Sequence, residues 1–385
     1  RMAFVSTKSI CQGEQVSILW PEVYARGLEI AFAYKPFPWA NNAKAKAGVT
    51  CIILGISRQI GESKKIFTKD SQRVVKNITP YLLQGKNLIV HQRTNSLSSI
   101  PKMQSGSKPT DDGNLLFSTE ERNLLVTESP ELKPFFKLFI GSKEFIRGER
   151  RWCLWVKNLE EKDFLERYET IKKRFEACRE FRIKSTKVAT QKKSEIYYQF
   201  DESKHQNSTA ILFPVNSSSN RDYIPIGYMD PTTVLSNKCH IVYNSNPWIF
   251  GFLTSRMHMT WLETTSSRIR EDYQYSIKLS YNTFPIPDLS DEPKEVITGK
   301  AMEVLAVRER YPEKTMADLY DPDKMPADLR EAHNSLDLCI DACYRSEPFT
   351  SDEERLEQLF KLYEKMIAKE EKDKLKGNTK KKGKK

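Results

Sequence analysis

A chain of 385 residues is long enough for two or three domains. With 39% hydrophobic and 29% charged residues it has the balance of a polar globular protein, and it contains no run of about 18 apolar residues to cross a bilayer. Of the net charge of +11, Lys369–Lys385 alone carries +6, which leaves +5 for everything before it, so charge argues for an anionic partner only where it is locally concentrated.

Taken in order, MAFVSTKSI predicts a strand running into a loop; Arg1 is not a start methionine, and the opening reads as the interior of a longer chain. Val16, Leu19/Trp20, Val23/Tyr24 and Leu28 recur with helical period across 14–30. Leu28 to Tyr34 predicts a short strand, and VTCIILGI (49–56) a continuous apolar strand buried on both faces. Strand, helix, strand and strand suit the second half of an open α/β sheet. Residues 57–75 are a polar, basic strand-and-loop stretch, and a new region is expected to begin near Asn77. Residues 96–116 predict a long irregular segment, of the kind that is functional or mobile. Within it, PTDDGN reads as a turn rather than a metal loop. Residues 115–129 predict a strand and an acidic helix.

Gly148-Glu149 predicts a hairpin turn, with Trp152, Leu154 and Val156 on one face of the returning strand. An amphipathic helix is expected over 163–180, with Phe164, Tyr168, Ile171 and Phe175 on its apolar stripe. Next comes the densest basic patch: Arg179, Arg182, Lys184, Lys187, Lys192 and Lys193 face one acid, Glu180, a net of +5 in fifteen residues. It is either a phosphate-contacting surface or a solvated loop. Short strands are predicted at 210–215, 223–229 and 240–243, and Asn246-Pro247-Trp248 reads as a turn. The isolated His240 and His258 read as packed core histidines. Three helices are predicted at 292–310, 326–344 and 351–367, with Ser351 and Glu354 forming a capping box, before a Lys-rich tail expected to be disordered. Pro287-Asp288 with Glu292-Pro293-Lys294 imitates a nuclease signature, but the spacing is too short and the proline would spoil the strand that carries it. Seven cysteines at scattered spacings predict neither a zinc site nor a disulfide framework, and a reducing, cytoplasmic setting is expected.

The stretch 253–287 is the most informative. Arg256, Arg268 and Arg270 are interleaved with Trp261, Tyr273, Tyr275, Tyr281 and Phe284 around a Ser/Thr-rich hinge, 264–267. Helical spacing before Ser267 gives way to alternation through Tyr273, Tyr275, Ile277, Leu279 and Tyr281. A helix passing into a strand through a loop with two arginines would present forks and rings to a nucleic-acid groove. The same pattern also describes an ordinary helix–loop–strand with core aromatics and solvated arginines.

The segments Ser255-Arg256-Met257-His258-Met259 with Trp261, Tyr273-Gln274-Tyr275-Ser276, and Tyr281-Asn282-Thr283-Phe284-Pro285 together resemble the target-recognition region of MmeI-like enzymes, site-specific adenine methyltransferases of the type IIL restriction–modification group. Phe4–Ser9, Gln12–Gln15, Leu19–Pro21, Phe37, Trp39 and Val49–Gly55 resemble the last third of that family's methyltransferase domain, and Leu319–Pro322 with Met325-Pro326, Leu329-Arg330 and His333 resembles its closing helical domain. The resemblance implies a multi-domain α+β chain: the tail of an α/β methyltransferase sheet (1–76), an α+β target-recognition domain (77–290), a helical domain (291–368) and the tail (369–385). It implies double-stranded DNA as partner, in a prokaryotic cytoplasm on the nucleoid, and S-adenosylmethionine as cofactor of the parent enzyme. The Gly-rich turn and the Asn/Asp-Pro-Pro-aromatic loop needed for that chemistry are missing from this sequence, so no catalytic residue is assigned, the cofactor site is expected in a preceding catalytic part, and the chain is expected to be inactive alone.

Phosphates are assigned to Arg179, Arg182, Lys184 and Lys187. Base edges are assigned mainly to Arg268 and Arg270, with Glu271 and Asp272 accepting from cytosine amines and Arg221, Arg256, Tyr273 and Tyr275 completing the surface. Where the family often has Phe after the strand's glycine, this chain has Ile56, which leaves Phe37 and Trp39 either to stack on an extruded base or to pack. The rival class is a non-catalytic nucleic-acid-binding specificity or scaffold protein.

Overall fold

The computed structural model describes residues 1–39, 49–58, 63–269 and 272–382, with side chains as far as Leu375. The chain is a multi-domain α+β fold. Its first unit is a five-stranded sheet of β1 (Met2–Thr7), β2 (Leu28–Pro38), β3 (Thr50–Arg58), β4 (Lys64–Phe67) and β5 (Gln72–Val75), in the order β1-β3-β2-β4-β5. β3 pairs antiparallel with both β1 and β2, and its successive Cys51, Ile52 and then Leu54 to Ser57 are all buried, as a strand covered on both faces must be. The helix α1 (Glu14–Ala25) buries Val16 and Trp20 beneath this sheet, and β2 runs on to Pro38, past the end expected from periodicity.

Three smaller sheets come after it. Gly227–Met229, Ala210–Pro214, Cys239–Tyr243 and Met103–Ser105 form an antiparallel sheet whose strands 210–214 and 239–243 are buried at every position. Val234–Leu235, Phe136–Ile140, Trp152–Leu154 and Leu116–Phe117 form the second, and Asn216–Ser217, Asp272–Gln274 and Ser267–Ile269 the third. The second sheet and the helices around it share a separate core of Phe117, Phe139, Leu165, Ile171, Phe175 and Cys178. The C-terminal helices Asp291–Glu309, Ala327–Ala342 and Asp352–Lys382 instead join the first sheet's core. Trp261 sits at that junction, fully buried, its Nε1–H donating to Thr283 Oγ1 at 3.0 Å and its ring 5.4 Å from Phe360 and 5.6 Å from Tyr363. Among the described residues no helix is long and apolar enough to cross a membrane.

Several local expectations are corrected. The alternation from Tyr273 to Tyr281 is a strand only as far as Gln274; Ile277–Tyr281 is one turn of π-helix, started by Ser276 Oγ accepting the Leu279 N–H at 3.2 Å. No two-residue hairpin forms at Gly148-Glu149: the helix Ser142–Arg147 intervenes, and Gly148 ends it with φ of +68°. The stretch 163–180 falls in two helices, Leu159–Leu165 and Glu169–Ile183. The segment 96–116 is irregular apart from the strand Met103–Ser105, as expected, but it is pinned, through Leu97 N–H to Asn282 O (2.7 Å) and Tyr281 Oη to Pro101 O (2.6 Å). Asp111 in its PTDDGN core accepts the Leu115 N–H at 2.6 Å, a turn-closing bond. Asn246 caps the helix Pro247–Leu253, whose first position is the proline, so Asn-Pro-Trp opens a helix and is not a free turn. The last helix is continuous through Lys382, reaching into the stretch expected to be disordered, and Arg93 holds it by a bidentate pair to Glu370 at 2.9 and 3.0 Å.

Candidate nucleic-acid interface

The helix Arg256–Thr265 is the base of the site. Ser255 caps it by accepting the His258 N–H at 3.3 Å, and Met257, His258, Met259, Trp261, Leu262 and Thr265 are all buried. A helix buried nearly all round holds the adjoining segment without slack. That segment is the hairpin of Ser267–Ile269 and Asp272–Gln274, paired Arg268 to Tyr273 and Ile269 to Asp272. Its two connecting residues, Arg270 and Glu271, lie outside the described residues. The strand Asn216–Ser217 lengthens the hairpin from the other side, with Ser217 opposite Tyr273.

On this hairpin the Arg268 guanidinium lies over the Tyr273 ring at 4.2 Å. Asp272 and Ile269 are exposed. Arg221, held through Nη1 to Ser217 Oγ at 3.3 Å, is partly buried; burial lowers its pKa while the nearby Asp272 works the other way. The fold therefore brings Arg221, Arg268 and Asp272 to one edge, a mixture of fork donors and a carboxylate acceptor suited to base edges. Lys8 and Glu263 lie within electrostatic reach of Arg268 and Tyr273; neither was legible as part of the site, because Lys8 comes from the start of the chain.

Four assignments from sequence are corrected here. Arg182 is fully buried, and its five N–H groups donate to five backbone carbonyls: Nε to Thr110 (3.0 Å), Nη1 to Lys193 (2.9 Å) and Ile196 (3.0 Å), Nη2 to Pro109 (2.8 Å) and Gln199 (2.7 Å). It has nothing left for a phosphate. The spacing carried the signal: Arg182 stands four residues after Cys178 and seven after Phe175, on the buried stripe of its helix. Arg256 is turned toward the C-terminal helices, its Nε to Asp352 at 3.1 and 3.2 Å and its Nη1 to Asp222 O at 3.2 Å. Tyr275 is a core residue: its hydroxyl bonds His258 Nε2 at 3.0 Å and its ring lies 4.1 Å from Phe213. Tyr273 is 4% exposed beneath Arg268, with burial and the nearby Glu263 pushing its hydroxyl up to about 12, so it supports a reader and offers no open face for a base. His258 is fully buried beside Tyr275, and burial lowers it to about 3, which keeps the imidazole neutral.

The remaining basic residues form a second surface on the other lobe. Lys184 and Lys187 are exposed, Lys184 pairing loosely with Glu180 at 3.0 Å, and Arg179 lies 5.7 Å from the Tyr197 ring centre. In the first sheet Phe37 packs edge-on against Tyr34 at 5.4 Å, whereas Trp39 is 48% exposed at the end of β2. The ring that covers Gly55 is Phe32, close enough that a Cβ on Gly55 would meet it at 2.1 Å. Phe32, Ile56, Met2, Lys64 and Phe67 line a cavity of 390 Å³ beside it. The turn Lys8–Gly13 after β1 closes against the root of the hairpin, the Gly13 N–H donating to Thr264 O at 3.3 Å.

A methyltransferase-type sheet, a buried helix raising a charged hairpin, and a helical close define a multi-domain protein with a target-recognition module. The DNA-methyltransferase domain of MmeI matches residues 1–68, its target recognition domain 84–288 and its C-terminal domain 289–370. The chain belongs to the MmeI family. It is 43% identical over 367 residues to DNA methyltransferase A of Bacillus subtilis (strain 168), covering 95% of this chain and 42% of that protein. It superposes with a TM-score of 0.84 and 37% identity on a structure of the type IIL restriction–modification enzyme MmeI in complex with DNA, over 95% of this chain and 50% of that one. The chain thus spans half or less of the length of each relative.

Proposed function

We propose that this chain is the sequence-reading part of a site-specific DNA adenine methyltransferase that uses S-adenosylmethionine. What carries the reading is the hairpin Ser267–Gln274, seated on a buried helix with Arg221, Arg268 and Asp272 at one edge. Its connection, Arg270 and Glu271, supplies two more readers of opposite charge. Lys184, Lys187 and Arg179 hold phosphates on the second lobe and set the register of the duplex without reading it. Trp39, exposed at the end of β2, is the aromatic side chain offered to an extruded base, and Phe37, packed on Tyr34, supports it. The cofactor and the methyl-transfer groups belong to a catalytic part with which these residues work, and the chain alone is inactive.

Selection of bound sequences from random duplexes at fixed salt tests this directly, and enrichment of a short defined motif is the expected result. Arg268→Ala should relax one base position by about 1–3 kcal/mol, whereas Lys187→Ala should weaken all sequences alike and reduce the salt slope by about 1. Salt-sensitive binding with no enriched motif would remove the hairpin as the reader.

A further inference from the structure

The turn Lys8–Gly13 and the root of the recognition hairpin, some 250 residues apart in the chain, meet backbone to backbone. The Gly13 N–H donates to the carbonyl of Thr264 at 3.3 Å, in the last turn of the supporting helix. Carbonyls there have no intrahelical donor, so the bond answers a group the helix leaves open. Gly13 has φ of +61°, and a Cβ on it would lie 3.1 Å from Ser267 Oγ and 3.3 Å from both Ser266 O and Ser267 Cα. Two of those three atoms are main chain, which has little freedom to give way. The turn is itself tied to α1, because Trp20 Nε1–H donates to Ile10 O at 2.7 Å. Lys8, half-buried in the same turn, stands beside Arg268 and Glu263; burial first and Arg268 second lower its pKa.

We propose that the turn Lys8–Gly13 positions the recognition hairpin, so that base specificity depends on residues of the methyltransferase segment that touch no base. The idea rests on the reading of the hairpin as the sequence reader. A strand advances about 3.3 Å per residue, so Ile269 stands roughly 7 Å beyond Ser267, and a displacement at Ser267 is levered outward along the strand. Hydrogen bonds to bases weaken steeply with such a change in angle. Gly13 is therefore a positioning residue, and its contact sets the height and tilt of the reader against the sheet.

Gly27 provides the control: it has φ of +65° in the same segment, with nothing within 4 Å of a built Cβ. Gly13→Ala and Gly27→Ala both force a side chain onto a positive φ and should lose thermal stability, Gly13→Ala the more, because its ψ of −150° suits glycine alone and main-chain atoms stand in the way. Only Gly13→Ala should lower discrimination, by about tenfold, at the base pairs that Arg268→Ala also affects, with nonspecific affinity and its salt slope unchanged. The measurement is sequence selection with the whole chain and each variant, alongside melting curves. Trp20→Phe, which removes the indole N–H that holds Ile10 O, should shift the same base pairs and serves if Gly13→Ala fails to fold. A Gly13→Ala or, in that event, Trp20→Phe profile matching Gly27→Ala, while Arg268→Ala alters recognition, overturns the positioning role alone. An unaltered Arg268→Ala profile overturns the reader itself, and the positioning role with it.

Discussion

Replacing Arg182 by Met should destabilise the lobe around Phe175 by on the order of 3–5 kcal/mol, because it takes five donors from the carbonyls of Pro109, Thr110, Lys193, Ile196 and Gln199, of which Pro109 O keeps only the Asp201 N–H and Ile196 O the Gln199 N–H. Those carbonyls belong to two stretches, 109–110 and 193–199, and one guanidinium closes both onto the helix Glu169–Ile183. No carboxylate takes part in these five bonds; carbonyl dipoles do the work, so the effect should persist at high salt. Arg182→Lys, with three donors and no planar fork, should recover only part of the loss. Denaturant unfolding followed by limited proteolysis across 107–200 reads the outcome. A stable Arg182→Met protein with weaker, less salt-dependent DNA binding would return this residue to the phosphate surface and refute the core assignment.

Raising pH from about 4 to about 7 should loosen the seam between the recognition helix and the C-terminal helices, and Asp337→Asn should abolish that sensitivity. Asp337 accepts the Tyr223 hydroxyl and the Arg256 N–H, each at 2.7 Å. Burial pushes its carboxyl from the ordinary 3.8 up to about 7; the two hydrogen bonds and Arg355 oppose the rise and the nearby Asp341 adds to it. Between those values the native state holds a proton that the unfolded chain releases. Stability from this group is therefore full below pH 3.8, falls as pH rises, and is lost above about 7, a swing on the order of 2–4 kcal/mol. Asp352 acts in the opposite sense at lower pH. Burial works to raise it, but its bonds to Arg256 and then the charge of Arg355 hold it below the usual carboxylate range, so its contribution is lost only on strong acidification. Asn keeps an acceptor for the Arg256 N–H and carries no charge, so Asp337→Asn should be more stable than the parent at pH 8 and converge with it near pH 4. Parallel pH profiles for the two proteins would show that Asp337 does not hold the native-state proton.

Elements with strong local periodicity were legible. The double-sided strand at 50–58, the helix at 14–25, the short strands at 210–214 and 239–243, and the three C-terminal helices all carry their burial pattern in consecutive residues. Failures came where two periods agree over a few residues. Tyr273, Tyr275, Ile277, Leu279 and Tyr281 alternate as a strand does, yet Ser276 caps a π-turn in their midst, a side-chain competition that alternation alone does not reveal. Gly148 was legible as a turn residue, but not as the end of a helix rather than the middle of a hairpin.

By itself the sequence determined the kinship of the chain and the order of its parts, because these rest on residues close together along the chain. Which cations face outward was decided by tertiary structure. Arg182, Lys184 and Lys187 share one basic run, and only the arrival of five carbonyls from elsewhere turns Arg182 inward while the two lysines stay exposed. Arg256 was likewise drawn away from the hairpin by Asp352, nearly a hundred residues on, and packing set Lys8, from the start of the chain, within electrostatic reach of Arg268. A charged side chain has the same composition whether buried or solvated; the partners that settle its free energy are assembled only when distant segments pack.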